Sequence, residues 1–192
     1  MPTHLRHDRA LEHAGRLYLA VAAARPVPVE WIVRYEAAGS IVRLFPGLVR
    51  AGQRFAAPLF KYDYKQDVRV AGVDDPTMNE SYLVGLGLLT AAQLQEAKEL
   101  LGLIGELVRG RLASSGVRLV DMKMEFGWVE GRLTLIDEIS QDCIRAVDEA
   151  TGASLTKDLF RQLRGAEEVS AAYETFARRL NPDIEGLICR TS

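Results

Sequence analysis

The chain has 192 residues, of which 48% are hydrophobic and 26% are charged, as in an ordinary soluble globular protein. Its 24 Lys+Arg against 26 Asp+Glu give a net charge of −2, which excludes bulk electrostatic attraction to a nucleic acid or a membrane as the basis of function. The two cysteines form no CxxC pair and no apolar run approaches the length of a membrane span, so we expect a reduced, cytoplasmic protein.

The first part of the chain carries short apolar segments that are separated by prolines. The run RLYLAVAAA at residues 16–24 is too short for periodicity to distinguish a strand from a helix. The β-branched and aromatic residues of VEWIVRYE favour a strand, and residues 36–40 are expected to form a turn or the start of a short helix. Residues 55–82 are expected to be loop-rich, with a turn at Asp74-Asp75-Pro76.

The clearest helix begins at Thr90. Thr90 and Gln93 have the spacing of a capping box, in which each side chain satisfies a backbone N–H of the first helical turn. Apolar residues then recur at helical spacing, namely Leu94, Ala97, Leu101, Ile104 and Leu107 or Val108. The sequence Ser-Ser-Gly at residues 114–116 is expected to end this helix.

The segment VDMKMEFGWVEGRLTLIDEIS at residues 120–140 predicts a β-hairpin that turns at Glu130-Gly131. Because strand side chains alternate, one face is apolar and carries Val120, Met122, Met124 and Phe126. The other face is charged and carries Asp121, Lys123 and Glu125. Two interpretations remain open: a solvated charged face, or a site in which carboxylates hold a cation while a lysine faces an anion.

Two helices are predicted after the hairpin. Thr156 has the character of an N-cap for a helix over KDLFRQLR, and a last amphipathic helix runs from about Glu167 to Leu180. In this last helix the residues expected to face the core are Ala172, Phe176 and Leu180. The mixed order of strands and helices with an antiparallel hairpin favours the α+β class.

Two segments have the composition of anion-binding sites. Arg34 near the end of a predicted strand, followed by Gly39-Ser40, offers a guanidinium, a hydroxyl and backbone N–H groups to a phosphate. The alternative is an ion pair between Arg34 and Glu36. Lys157 and Arg161 share one face near a predicted helix N-terminus, where an anion would offset the unfavourable interaction of positive charge with the helix dipole. The alternative there is pairing with Asp158.

The two arms of the hairpin carry the residues that suit a divalent cation. Mg²⁺ takes oxygen ligands, usually one or two carboxylates together with substrate phosphate oxygens, and Glu125 and Asp137 on facing strands would supply such a pair. The alternative is cross-strand pairing of Lys123 with Asp137 or Glu138. Spacing alone does not decide between these two interpretations.

In this order, five segments resemble those of the SAICAR synthetase (phosphoribosylaminoimidazole-succinocarboxamide synthase) family, namely VPVEWIVRYEAAGSIVR, PLF…DDPTMNES, LVDMKMEFG, LIDEISQDCIR and TKDLFRQ. The resemblance begins near Val27. It implies a short N-terminal extension over residues 1–26 and a catalytic lobe over residues 27–192, with an antiparallel sheet flanked by helices. It also implies a ligase that uses ATP and Mg²⁺ to join aspartate to the carboxylate of an imidazole ribotide through a carboxyl-phosphate intermediate.

The resemblance further implies a role for individual residues. Glu125 and Asp137 would hold Mg²⁺, Lys123 would lie near the nucleotide phosphates and the reacting carboxylate, and Asp75 would lie near the imidazole or amino-acid substrate. The ribotide phosphate and the substrate carboxylates would be bound by Arg34, Ser40, Arg145, Lys157 and Arg161.

The sequence also departs from the family pattern. No counterpart is found for the glycine- and lysine-containing hairpin or for the DxTSAxDG-like segment, which cover ATP in the family. We therefore expect a partner chain to supply the ATP lobe; the alternative is an ATP-independent enzyme or a binding protein that uses only the ribotide-phosphate site. Tyr35 stands where Asn is usual, Gln141 where Pro is usual and Val147 where Trp is usual.

Overall fold

The computed structural model describes residues 5–65, 75–156 and 165–181, which contain eight strands and four helices. The strands are β1 Leu5–His13, β2 Arg16–Val21, β3 Arg25–Glu36, β4 Arg54–Tyr64, β5 Thr77–Met78, β6 Val117–Val129, β7 Arg132–Leu135 and β8 Ile144–Asp148. The helices are α1 Ser40–Leu44, α2 Glu80–Gly85, α3 Ala91–Ala113 and α4 Ala166–Leu180. None of the described helices combines the length and the apolar content needed to cross a bilayer.

The strands form an antiparallel hairpin and a six-stranded sheet. Strands β1 and β2 pair with each other, and the main sheet has the order β5-β4-β3-β6-β7, with β8 also paired to β6. The pairings of β4 with β5 and of β6 with both β7 and β8 are antiparallel. This architecture confirms the predicted α+β class and the antiparallel sheet accompanied by helices.

The chain divides into two compact units. The first unit comprises Met1–Trp31, Lys61–Leu101 and Met124–Glu138. The second unit comprises Ile32–Phe60, Gly102–Lys123 and Ile139–Ser192. The residues predicted to form a short N-terminal extension contain the β1–β2 hairpin, so the undecided segment at residues 16–24 is largely a strand.

An aromatic cluster forms the core of the first unit. The Trp31 side chain is fully buried, and its ring centroid lies 5.2 Å from that of Tyr62 and 5.6 Å from that of Phe126, both in edge-to-face geometry. The Trp31 indole N–H has no hydrogen-bond partner among the described residues. The position therefore favours the packing of a large ring over satisfaction of its polar atom.

Helix α4 is fixed in the second unit by arginines at the ends of two helices. Arg111 in the last turn of α3 donates to the Leu180 carbonyl oxygen over 2.5 Å. Arg179 donates to the Gly116 carbonyl oxygen over 3.1 Å and forms an ion pair with Asp148. Phe176 is the buried residue of α4, as predicted, whereas Ala172 and Leu180 are half-buried.

Several local predictions are confirmed. The Thr90 N–H donates to Gln93 Oε1 over 2.9 Å and the Gln93 N–H donates to Thr90 Oγ1 over 3.2 Å, which is the predicted capping box. The β6–β7 hairpin turns at Glu130 and Gly131, whose φ angles of 50° and 78° are those of a type I′ turn. The apolar stripe of α3 continues through half-buried Val108 rather than through Leu107, which is 57% exposed.

The prediction that residues 55–82 are loop-rich is wrong. Strand β4 extends through residue 64, and β5 and α2 lie after residue 76, while residues 66–74 lie outside the described part of the chain. The β4 sequence RFAAPLFKYDY lacks a clean alternation of apolar and polar residues, so its strand conformation depends on pairing with its neighbours in the sheet. Asn79 caps α2 by accepting a hydrogen bond from the Tyr82 N–H over 3.0 Å.

Candidate functional site

A β-bulge in β6 brings Asp121 opposite Arg145 in the second unit. The register pairs Leu119 with Ala146 and then Asp121 with Arg145, so β6 contains one extra residue at this point. A bulge of this kind shifts the alternation of side chains by one position. Accordingly Val117 and Leu119 are buried before it and Met122 is buried after it.

Asp121 joins two of the predicted substrate-binding arginines. Its Oδ2 atom accepts from Arg34 Nε over 3.0 Å and from Arg145 Nη1 over 2.7 Å. The Asp121 and Arg34 side chains are each 6% exposed and that of Arg145 is 15% exposed. Two guanidinium groups share one carboxylate here, so these three groups together carry a formal charge of +1.

Gly39 lets the Arg145 guanidinium approach the backbone closely. A Cβ atom at Gly39 would lie 2.9 Å from Arg145 Nη2 and 3.1 Å from Arg145 Cζ, which is too close for a real side chain. Gly39 also has a φ of 63°, a conformation that residues with a side chain rarely adopt. The glycine before Ser40 is therefore favoured by its backbone conformation, and a side chain at this position would displace the Arg145 guanidinium.

Arg145 lines an open pocket of about 760 Å³ in the second unit. Its charged lining residues are Arg43, Arg145 and Glu36. The other lining residues are small or apolar and leave backbone accessible: Ala37, Ala38, Gly39, Val42, Ala51, Gly52, Val120, Ala146, Val147, Gly152, Ala153 and Ser154. Two cations against one carboxylate, surrounded by glycine and alanine backbone, suit a phosphate or a carboxylate ligand.

The other predicted site residues of the second unit that the structure describes do not line the pocket of Arg145. Arg34 is buried against Asp121 and does not line the pocket, and Ser40 is the first residue of the short helix α1. Lys123 is half-buried on β6, where its N–H donates to the Cys143 carbonyl oxygen over 2.7 Å. Because Lys123 and Asp121 are two residues apart on one strand, their side chains leave the same face roughly 7 Å from each other.

The expected alternative for Arg34, an ion pair with Glu36, is not what the structure shows. Glu36 pairs with Arg118, and Arg118 Nε also lies 2.9 Å from Glu149 Oε2. Arg54 Nη2 donates to Glu149 Oε1 over 3.0 Å, so the two carboxylates and two arginines form a connected network. This network lines a second pocket of about 250 Å³ together with Tyr35, whose pKa is raised by burial and by the nearby Glu106 carboxylate.

Glu125 in the first unit is held by Lys65, a residue that the sequence analysis missed. Lys65 Nζ lies 2.8 Å from both Glu125 Oε1 and Glu125 Oε2. The two residues are separated by 60 positions along the chain, and Lys65 follows β4, which was predicted as part of a loop. A lysine at the end of a correctly recognised β4 would have been the signal for this pair.

The oxygen donors of the first unit fit a hard cation in chemical type. Glu125 is a carboxylate whose side chain is 16% exposed, and Asp137 is a half-buried carboxylate that follows β7. The Lys65 ammonium contacts both oxygens of Glu125, so its positive charge disfavours the binding of Mg²⁺ at Glu125. Asp75 is exposed at the bend before β5.

Two predicted site residues, Lys157 and Arg161, lie outside the described residues, as does the helix predicted over KDLFRQLR. The predicted N-cap of that helix, Thr156, is fully buried, and its Oγ1 atom accepts from the Ala146 N–H over 3.2 Å. This hydrogen bond connects Thr156 to β8, the strand that also carries Arg145.

The chain is similar to a well-defined group of sequences. The sequence model described as SAICAR synthetase matches residues 1–180. A phosphoribosylaminoimidazole-succinocarboxamide synthase from Methanoculleus marisnigri is 40% identical over 162 residues, which are 84% of this chain and 64% of that protein. The chain spans about 60 to 64% of the length of the curated relatives it matches.

Solved structures have the same architecture. The phosphoribosylaminoimidazole-succinocarboxamide synthase of Ehrlichia chaffeensis superposes with a TM-score of 0.81 at 30% identity and covers 94% of this chain and 73% of that chain. A SAICAR synthetase solved in complex with ADP superposes with a TM-score of 0.82 at 30% identity and covers 95% and 72% of the two chains.

Proposed function

Because the chain belongs to the SAICAR synthetase family, we propose that it carries the acceptor-binding part of an ATP-dependent carbon–nitrogen ligase. The proposed reaction joins an amino acid such as aspartate to the carboxylate of an imidazole ribotide or a close analogue. The names of the relatives support the reaction class, and the structure of a SAICAR synthetase with ADP supports the use of a nucleotide.

The observation that carries the proposal is the pocket lined by Arg145 and Arg43. The ribotide phosphate is assigned to this pocket, where Arg145 offers charge-assisted hydrogen bonds and the backbone around Gly39 is accessible. Lys123 is assigned to the reacting carboxylate or the nucleotide phosphates, because its ammonium leaves β6 on the face that also carries Asp121. Ser40, Lys157 and Arg161 complete the predicted contacts to substrate, with Arg34 acting through its bond to Asp121.

The first unit is assigned the remaining roles. Glu125 and Asp137 would hold Mg²⁺ in competition with the Lys65 ammonium, and Asp75 would contact the imidazole or the amino acid. ATP with Mg²⁺ would supply the phosphoryl group that converts an unreactive carboxylate oxygen into a leaving group. The chain's own residues bind and orient the acceptor and counterbalance the charge of its phosphate and carboxylate.

The proposal includes a further polypeptide segment. The chain spans about 60 to 64% of the length of its relatives, and the glycine- and lysine-containing hairpin that covers ATP in the family has no counterpart in the sequence. A partner chain would supply that segment, which would exclude water from the nucleotide phosphates.

Calorimetric titration and turnover together test the proposal. The purified chain is titrated with carboxyaminoimidazole ribotide, and ADP release and amide formation are then followed with ATP, Mg²⁺ and aspartate, with and without candidate partner proteins. We expect the ribotide to bind and Arg145→Ala to weaken its binding at least ten-fold, since a charge-assisted bond contributes about 1.5–3 kcal/mol. Turnover by the isolated chain would contradict the need for a partner, and absence of ribotide binding would contradict the proposed substrate class.

A further inference from the structure

We propose that Asp121 is a positioning residue, which holds the Arg145 guanidinium in the orientation that binds the anion. The inference rests on the proposed function, since it deepens the description of the same anion pocket. Asp121 is 4% exposed and does not line the pocket, so it acts on a ligand through Arg145. It is therefore distinct from the predicted substrate-binding residues.

The position of Asp121 is itself fixed from two sides. Arg34 Nε donates to Asp121 Oδ2 over 3.0 Å from a side chain that is 6% exposed, and buried side chains have few alternative rotamers. The bulge between Leu119 and Asp121 aims this carboxylate at the strand partner Arg145. Arg34 thus supports Asp121, and Asp121 in turn supports Arg145.

Arg145 is confined between Asp121 and the backbone at Gly39. Its Nη1 atom lies 2.7 Å from Asp121 Oδ2, while its Nη2 atom would lie only 2.9 Å from a Cβ atom at Gly39. The bond to Asp121 at Nη1 and the close packing of Nη2 against the Gly39 backbone together restrict rotation of the guanidinium about its Nε–Cζ bond. Because the orientation is set before a ligand arrives, less conformational entropy is lost on binding.

Charge and orientation predict opposite effects of removing Asp121. If Asp121 only neutralised the arginines, Asp121→Asn would raise the charge of the cluster from +1 to +2 and tighten anion binding. If Asp121 orients Arg145, the same substitution weakens anion binding in spite of the added positive charge. The direction of the change in affinity therefore distinguishes the two roles.

The experiment measures ribose 5-phosphate affinity by calorimetry for the full chain and its variants. We expect Asp121→Asn to weaken binding about ten-fold. The double variant Arg34→Met/Asp121→Asn removes both members of the buried pair, so it keeps the test open if the single variant, which leaves Arg34 without its carboxylate, fails to fold. Glu149→Gln is the matched control, because it removes a carboxylate from two arginine pairs of the same unit without lining the pocket.

A spectroscopic measurement separates orientation from stability. In the wild-type chain we expect resolved ¹⁵Nη signals for Arg145, because its guanidinium rotation is restricted, and we expect these signals to coalesce in Asp121→Asn. Unchanged or tighter binding in a folded Asp121 variant would overturn the positioning role while leaving the anion site intact. Absence of ribose 5-phosphate binding in the wild type, or its survival in Arg145→Ala, would overturn the anion site and the positioning role together.

Discussion

Gly39 adopts a backbone conformation that residues with a side chain rarely reach, and it does so against the Arg145 guanidinium. Its φ is 63°, and a Cβ atom would lie 2.9 Å from Arg145 Nη2. We expect Gly39→Ala to lower the free energy of unfolding by about 1–3 kcal/mol from backbone strain alone. The displaced guanidinium should also weaken ribose 5-phosphate binding, which calorimetry measures alongside chemical denaturation.

Gly47 supplies the control for Gly39. Its φ is 81° and nothing lies within 4 Å of an added Cβ, so Gly47→Ala introduces strain without contact with Arg145. We expect Gly47→Ala to lower stability while leaving ribose 5-phosphate affinity unchanged. Equal losses of affinity in the two variants would contradict a specific role for the close approach at Gly39.

The Lys65 ammonium contacts both carboxylate oxygens of Glu125, so we expect it to compete with a metal cation for binding to Glu125. Its Nζ atom lies 2.8 Å from each oxygen, and its side chain is 44% exposed. An exposed ion pair contributes up to about 1 kcal/mol, so we expect Lys65→Gln to tighten Mn²⁺ binding by about two- to five-fold. Electron paramagnetic resonance of free Mn²⁺ measures this affinity without any turnover.

Lys61 is the matched control for Lys65. Lys61 lies within β4 and pairs with Asp63. The substitution Lys61→Gln therefore removes the same charge but leaves the ion pair of Glu125 with Lys65 in place. A comparable gain in Mn²⁺ affinity for both variants would indicate a general charge effect. Weaker binding in Lys65→Gln would show that Lys65 does not compete with the cation.

At the scale of the element, Gly105 of helix α3 packs closely against side chains of strand β3. A Cβ atom at Gly105 would clash with the Tyr35 hydroxyl oxygen and would lie 3.1 Å from Val33 Cγ1. Alanine normally favours a helix over glycine by about 1 kcal/mol, but overpacking here should reverse the sign. We expect Gly105→Ala to lower the free energy of unfolding by about 1–3 kcal/mol in chemical denaturation.

Two further variants test whether overpacking against Tyr35 causes the expected loss of stability in Gly105→Ala. Gly110 lies in the same helix with nothing within 4 Å of an added Cβ, so Gly110→Ala should stabilise the chain by up to about 1 kcal/mol. Adding Tyr35→Phe to Gly105→Ala removes the clashing hydroxyl and should recover most of the lost stability. A destabilised Gly110→Ala would contradict this explanation.

Elements with local signals were predictable from the sequence. The capping box at Thr90 and the Glu130-Gly131 turn depend on residues within four positions of each other, and both are present as expected. Strand β4 depends on its partners in the sheet, and its sequence has no period of two, so local reasoning assigned it to a loop. Asn79 was an available helix-start signal that would have located α2.

The site was predictable in its residue types but not in its connections. Arg34 and Arg145 were both expected to bind substrate, and the structure joins them through Asp121. The bulge that aligns Asp121 with Arg145 depends on pairing between two strands, and a strict alternation of β6 does not reveal it. The Lys65–Glu125 pair required the position of β4, which was missed.

At the scale of the whole molecule, stability in acid should depend on Asp148. Its carboxylate accepts from the Thr151 hydroxyl over 2.8 Å and from the Thr151 N–H over 2.6 Å, and it pairs with Arg179 of α4. These bonds lower the pKa of Asp148 to about 2. Because the folded pKa lies below the unfolded one of about 3.9, the stabilisation is complete above the unfolded value and is lost as pH falls from about 4 to 2.

Urea denaturation of the wild type and of Asp148→Asn across this range measures the effect. We expect the wild type to be more stable near neutral pH and the difference between the two to shrink below pH of about 4. All other carboxylates titrate in both chains, so the difference reports Asp148. A difference that stays constant down to about pH 2 would contradict ionisation of Asp148 as the cause.

The buried aromatic cluster of the first unit allows folding of this unit to be followed by intrinsic tryptophan fluorescence. Trp31 and Trp128 are its two tryptophans, and Trp31 is shielded from water with Tyr62 at 5.2 Å. An indole in such apolar surroundings fluoresces at short wavelength, and light absorbed by Tyr62 is transferred to it efficiently. Opening of the cluster would shift the Trp31 emission to the red and reduce this transfer, so intrinsic fluorescence reports on the integrity of the first unit without a label.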